Sequence, residues 1–162
     1  MKTKSGFTLI ELLVVVAIIG ILAAVGLGQF HTAQKRGRDA QRKENLTSLS
    51  KALEMYYNDY ERYPQGENGK IKIGANPVIG WGSEFSDDKG TIYMKQLPKD
   101  PADNFQYFYK PKDEGAMYTL HANLEHSQDQ DIGGPYVGTD CQTDAGNQFC
   151  NYCIASSNES CD

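Results

Sequence analysis

The chain has 162 residues, four cysteines, 10% aromatic residues and a formal net charge of −5. That length suits one domain and excludes two full cores joined by a linker, and that aromatic content excludes disorder throughout. Charge is segregated: residues 1–6 carry a net +2, 7–30 a net −1, 31–62 a net +2 and 63–162 a net −8, which excludes a wholly basic nucleic-acid-binding domain, since phosphate contacts need clustered cations.

The first six residues are basic through Lys2 and Lys4, and from Phe7 to Phe30 the only charge is Glu11. A secretory signal has an apolar stretch of about 7–15 residues, and this one is longer. As a helix rising about 1.5 Å per residue it reaches roughly 36 Å, against a bilayer core of about 30 Å, so residues 7–30 are predicted to span a membrane. Ala23-Ala24-Val25-Gly26 offers a signal-peptidase site as the competing reading. A carboxylate inside such a span costs several kcal/mol unless paired or neutralised. Glu11 either lies near the interface and reaches headgroups, or awaits a cation from another chain. Removal of residues 1–6 creates such a cation, the α-amine of Phe7.

Lys4-Ser5-Gly6-Phe7-Thr8-Leu9-Ile10-Glu11 and the unbroken apolar run after it resemble the class III leader of type IV pilins and type II secretion pseudopilins. The resemblance implies that a membrane prepilin peptidase cuts between Gly6 and Phe7 and N-methylates Phe7. It implies that Glu11 pairs with the N-terminus of a neighbouring subunit during assembly.

Gly20, Gly26 and Gly28 weaken the helix, each by about 1 kcal/mol relative to Ala. They serve either close helix packing or a segment that unwinds on leaving lipid. From His31 the helical pattern continues in polar form. Leu46, Leu49, Leu53, Tyr56 or Tyr57, and Tyr60 make one apolar stripe, stopped by Pro64 and Gly66. Lys35, Arg36, Arg38, Arg42 and Lys43 form a basic cluster just past the span. By the positive-inside rule this side faces the cytoplasm, whereas the cysteine-rich tail places it outside, and the tail argument prevails. The cluster then meets outer-leaflet phosphates, acids of neighbouring subunits, or solvent. Nucleic acid as a partner stays open.

Residues 64–90, rich in Gly, Asn, Pro and Ser, read as a long connection with one strand near Lys70–Ile73. Trp81 reads as a core anchor. Ile92–Leu97 reads as a short helical turn. Phe105–Lys110 and Ala116–Ala122 read as a hairpin turning through Pro111 to Gly115, with a third strand near Ile132–Val137. An aromatic face of Phe105, Tyr107 and Tyr109 is placed to cover the helix stripe. The predicted fold is α+β: a long N-terminal helix, membrane span then amphipathic half, packed on a small antiparallel sheet with a disulfide-bonded C-terminal tail. The predicted organisation is a leader (1–6), a span or filament core (7–30), an amphipathic half of the same helix (31–62) and a globular head (63–162) ending in a tail (141–162).

Tyr56-Tyr57-Asn58-Asp59-Tyr60-Glu61-Arg62-Tyr63-Pro64, Leu97-Pro98-Lys99-Asp100-Pro101, Phe105–Tyr109 and Tyr118-Thr119-Leu120 are similar to the major pseudopilin of type II secretion and to many short pilins. This resemblance implies a calcium loop whose ligands are Leu120, Asn123, Asp129 and Asp131, with Asn123 where the family tends to have Asp. A solvated acidic loop is the alternative. Calcium is the one metal implied, and no cofactor is required.

Cys141, Cys150, Cys153 and Cys161 all fall within the last 22 residues, and read as two structural disulfides with three connectivities open. A Cys₄ zinc site needs reduced thiolates that an exported tail does not offer. A thioredoxin-like pair lacks its βαβ context. His31, His121 and His126 have no evident nucleophile partner, so no enzyme is predicted.

The leading expectation is a type IV pilus subunit, a single-pass inner-membrane protein with its head outside the cytoplasm that then joins a cell-surface filament. Its expected partners are its own copies, lipid before assembly, and by resemblance the prepilin peptidase, assembly platform and ATPase. The alternatives are the major pseudopilin of a secretion machine and an anchored binding module that does not polymerise.

Overall fold

The computed structural model describes residues 6–132, 150–157 and 161, with the side chains of 24–28 outside the description. Helix α1, Leu9–Tyr60, runs 52 residues, roughly 78 Å at 1.5 Å per residue. It starts on Thr8, whose side chain accepts the Glu11 N–H, and ends at Glu61, a left-handed residue (φ 54°) whose N–H bonds the Tyr57 carbonyl. Its C-terminal half is the spine of the head. Leu46, Leu49, Ala52, Leu53 and Tyr56 are buried, so the stripe read from the sequence faces the core.

The strands are β1 (Gln65–Glu67), β2 (Lys70–Lys72), β3 (Phe85–Ser86), β4 (Ile92–Met94), β5 (Phe108–Lys112), β6 (Met117–Ala122) and β7 (Tyr152–Ala155). They form three small antiparallel sheets, β1-β2, β3-β4 and β5-β6-β7. The strand expected near Lys70 is present as β2, and two more strands lie in the stretch read as connection.

Two sequence expectations are corrected. Ile92–Leu97 opens as strand β4 rather than a helical turn, because its Ile-Tyr-Met alternation buries Tyr93 against Tyr56 and Phe85. The hairpin strand begins at Phe108 and includes Pro111, which pairs with Tyr118; β5 is an edge strand, where the missing N–H of proline is tolerated. The turn falls to Asp113–Gly115, all at positive φ. Gly115 is needed there: at φ +95° a Cβ would stand 2.8 Å from the Tyr63 carbonyl oxygen, and the Tyr63 N–H bonds the Gly115 carbonyl at 2.7 Å. Strand β7, from the cysteine-rich tail, pairs with β6; of the strand expected near Ile132–Val137, Ile132 is not in a strand and 133–137 lie outside the described residues.

Tyr107 and Tyr109 are buried as the expected aromatic face required. Trp81, partly buried, meets Tyr107 edge-on at 5.7 Å between ring centroids.

Candidate assembly interface

The N-terminal half of α1 makes the first feature. Phe7 is 85% exposed, and eleven further large apolar side chains from Leu9 to Leu22 are exposed around the helix. Burying one such side chain is worth about 1.5–3 kcal/mol. Twelve left in water cost on the order of 20 kcal/mol, more than the roughly 5–15 kcal/mol that stabilises a typical domain. This segment therefore requires lipid or another apolar helix. Among the described residues no helix is long and apolar enough to cross a membrane; the span expected over 7–30 runs through residues 24–28, whose side chains lie outside the described set.

Glu11 stands on this bare segment with an intrachain role the sequence reading missed. Its Oε2 accepts from the Thr8 N–H at 2.8 Å and the Thr8 hydroxyl at 2.7 Å, while the Glu11 N–H returns a bond to Thr8 Oγ1 at 3.3 Å. This is a capping box, and Thr8-Leu9-Ile10-Glu11 is its signature, legible in the sequence. Gly6 and Phe7 lie just before it and are exposed.

The second feature is the neck, where α1 enters the head. The basic cluster expected to meet lipid, neighbouring subunits or solvent divides. Lys35 and Arg36 are exposed, and Arg36 Nε donates to His126 Nε2 at 3.3 Å. Arg38, Arg42 and Lys43 turn onto acids of their own head. Arg42 is fully buried. It forks onto Asp100 (Nε 2.8 Å, Nη2 2.7 Å) and reaches Asp39 (2.8 Å) and Glu125 (2.7 Å) through Nη1. Its guanidinium lies 5.3 Å from the centre of the Phe105 ring. Arg38 holds both oxygens of Glu125. Bidentate pairs of this kind add geometry as well as energy. Hydrogen bonds from Arg38, helped by Arg42 against the opposing effect of burial, hold the Glu125 carboxyl down at about 2. Asp39 also accepts the backbone N–H groups of Glu125 (2.9 Å) and His126 (2.8 Å). None of Asp39, Asp100 and Glu125 was singled out from the sequence as a site residue. Asp39 and Arg42 continue the Leu46–Tyr56 stripe backward at spacings of three and four, which is the signal that marks them as inward.

The third feature is the loop after β6. Of the four residues expected to hold calcium, Asp129 and Asp131 are together, each with one oxygen 2.6 Å from Lys43 Nζ. Leu120 is buried in the middle strand between β5 and β7, and Asn123 follows the end of β6. The Asn151 side chain clasps Leu124 through its N–H (2.6 Å) and carbonyl (2.9 Å). Cys153 and Cys161 are joined, with Cα atoms 6.0 Å apart. Cys150 is buried and also disulfide-bonded; Cys141 lies outside the described residues. His121 is buried in β6 beside Thr119 Oγ1 at 2.9 Å, and His31 is exposed.

A family model for the prokaryotic N-terminal methylation motif matches residues 1–27, and the model for type II secretion system protein G matches residues 29–133. The type II secretion system core protein G of Aeromonas hydrophila is 31% identical over 134 residues, 82% of this chain and 92% of that protein. Its counterpart in Vibrio cholerae is 31% identical over 142 residues, 86% of this chain and 91% of that one. The type IV major pilin protein PilA of Myxococcus xanthus is 43% identical over 75 residues, 46% of this chain and 33% of that protein. No solved structure matches the chain.

Proposed function

The chain belongs to the pilin and major pseudopilin family, a structural rather than enzymatic family whose members polymerise, and from that premise we propose that it is the major pseudopilin of a type II secretion machine. Similarity that runs along the head as well as the leader favours this over the pilus filament that the sequence ranked first. That it polymerises is supported by one observation: from Phe7 to Leu22 the chain presents large apolar side chains on all sides of the helix.

Before assembly that half sits in the inner membrane with the head outside the cytoplasm. A prepilin peptidase cuts between Gly6 and Phe7, and Phe7 is N-methylated. Moving an apolar helix from lipid to a bundle of like helices gains little from hydrophobicity, because lipid tails are as apolar as Leu. Selection for the bundle therefore falls on the polar group. In the uncut chain Glu11 is capped by Thr8. In the filament its carboxylate faces the new Phe7 amine of a neighbour, a charged partner that stabilises it more than a hydroxyl and an amide can. An assembly platform and an ATPase drive insertion of the subunit.

A type IV pilin is the second reading, favoured by the disulfide-bonded tail, which lies beyond the stretch matched by the protein G model. Deletion of the gene in its host separates the two. Loss of secreted enzymes from the medium is expected; loss of surface fibres with intact secretion establishes the pilin instead. Mass spectrometry of native filaments is expected to show a chain starting at N-methylated Phe7, and solitary molecules starting at Met1 overturn both readings.

A further inference from the structure

Calcium is the ion this fold implies for the loop after β6. It takes six to eight oxygens at about 2.3–2.6 Å. Here the two acids best placed to supply them are already engaged by a cation of the chain itself. Lys43, on the face of α1 toward the loop, places Nζ 2.6 Å from Asp129 Oδ1 and 2.6 Å from Asp131 Oδ2. The Tyr152 ring of β7 lies 5.7 Å from the same ammonium. A divalent ion on these carboxylates would share them with a fixed positive charge, and like charges at such range repel strongly in a partly desolvated site. Among the described residues no three His, Cys, Asp or Glu side chains are grouped to hold a metal.

The loop's backbone is tied down by other means. The Asp39 carboxylate takes the N–H groups of Glu125 and His126. Asn151 takes the N–H and carbonyl of Leu124. Asp129 Oδ1 accepts the Asp131 N–H at 3.0 Å. Each of these tethers starts from α1, from the tail beside β7 or from the loop itself, so the ordering that a metal would impose is supplied by the chain.

We propose that Lys43 replaces the divalent cation, its ammonium stapling Asp129 and Asp131 to the helix so that the loop after β6 is calcium-independent. This holds whichever filament the subunit builds, and its test does not depend on polymerisation.

The test is thermal unfolding of the full-length chain in detergent micelles, followed by the fluorescence of Trp81, the one tryptophan. The wild type is expected to melt at the same temperature in excess calcium and in EGTA. A true site filled a hundredfold above its dissociation constant raises the midpoint by roughly 5–10 °C in a chain of this size, and such a rise in the wild type overturns the proposal. Lys43→Gln removes the charge and shortens the stem while keeping a polar head. It is expected to melt below wild type in EGTA; a variant melting with the wild type there also overturns the proposal. Should Lys43→Gln fail to fold, the wild-type comparison decides alone.

Discussion

Arg42 is the sharpest place to perturb the head. In Arg42→Met the side chain keeps most of its length and its contact with Phe105 but loses the charge. Three carboxylates then face one another with only Arg38 left among them. Asp39 and Asp100 are each about 1% exposed at the side chain, so neither recovers its lost partner from water. Breaking a buried ion pair from one side costs about 3–5 kcal/mol. Asp39 retains two backbone N–H donors and Asp100 retains the Ala102 N–H at 2.9 Å, which places the expected loss near the lower half of that range. At about 2–4 °C per kcal/mol for a chain of this length, the melting temperature should fall by roughly 10 °C. Trp81 shares a groove with Asp100 and Phe105, so its fluorescence reports the event directly. Asp100→Asn should cost less in the Arg42→Met background than in the wild type, with a coupling above about 1 kcal/mol. A single variant melting within about 2 °C of wild type would refute the view that this network grips the helix.

Glu125 gives the head an acid limit. Its carboxyl titrates at about 2 against an ordinary 4.5, so the stability it contributes is complete above about pH 4.5 and is lost as pH falls toward 2; Arg38→Gln should flatten that part of a melting-temperature profile. Cys153→Ser opens a short loop, and the chain-entropy relation gives about 2.5 kcal/mol for it, readable by urea unfolding with and without reductant. Glu11→Gln should leave membrane insertion intact and lower filament yield, measured from sheared material by electron microscopy. Gly6→Ala should leave the precursor uncut, checked by the mass of the membrane-bound chain.

The long helix, its stop and its buried stripe were legible because they rest on periodicity, which survives in any context. The leader was legible because a lone acid in an apolar run is costly enough to need a reason. The ionic neck was misread as an outward basic cluster because charge was taken as a sign of exposure; the three-and-four spacing from Asp39 through Arg42 to Leu46 and Leu49 already put these residues on the inward face. Their partners Asp100 and Glu125 lie 58 and 83 positions beyond Arg42 in the sequence, and no local pattern joins them. Strand β7 was missed for the same reason. Its pairing with β6 spans the tail, and Tyr152–Ala155 carries no alternation strong enough to announce a strand.

The same geometry explains why the head holds α1 in two different ways. Below the neck the grip is leucine and tyrosine against strands β4 and β6. At the neck, close to where the bare apolar half begins, it changes to guanidinium and carboxylate. An apolar neck would bury surface without fixed partners to set the position of the helix against the head. A buried ion network has fixed partners and fixed geometry, and a separated member is heavily penalised. Arg42 therefore marks a boundary. On one side the helix presents apolar side chains outward; on the other it is held by buried ion pairs to its own head.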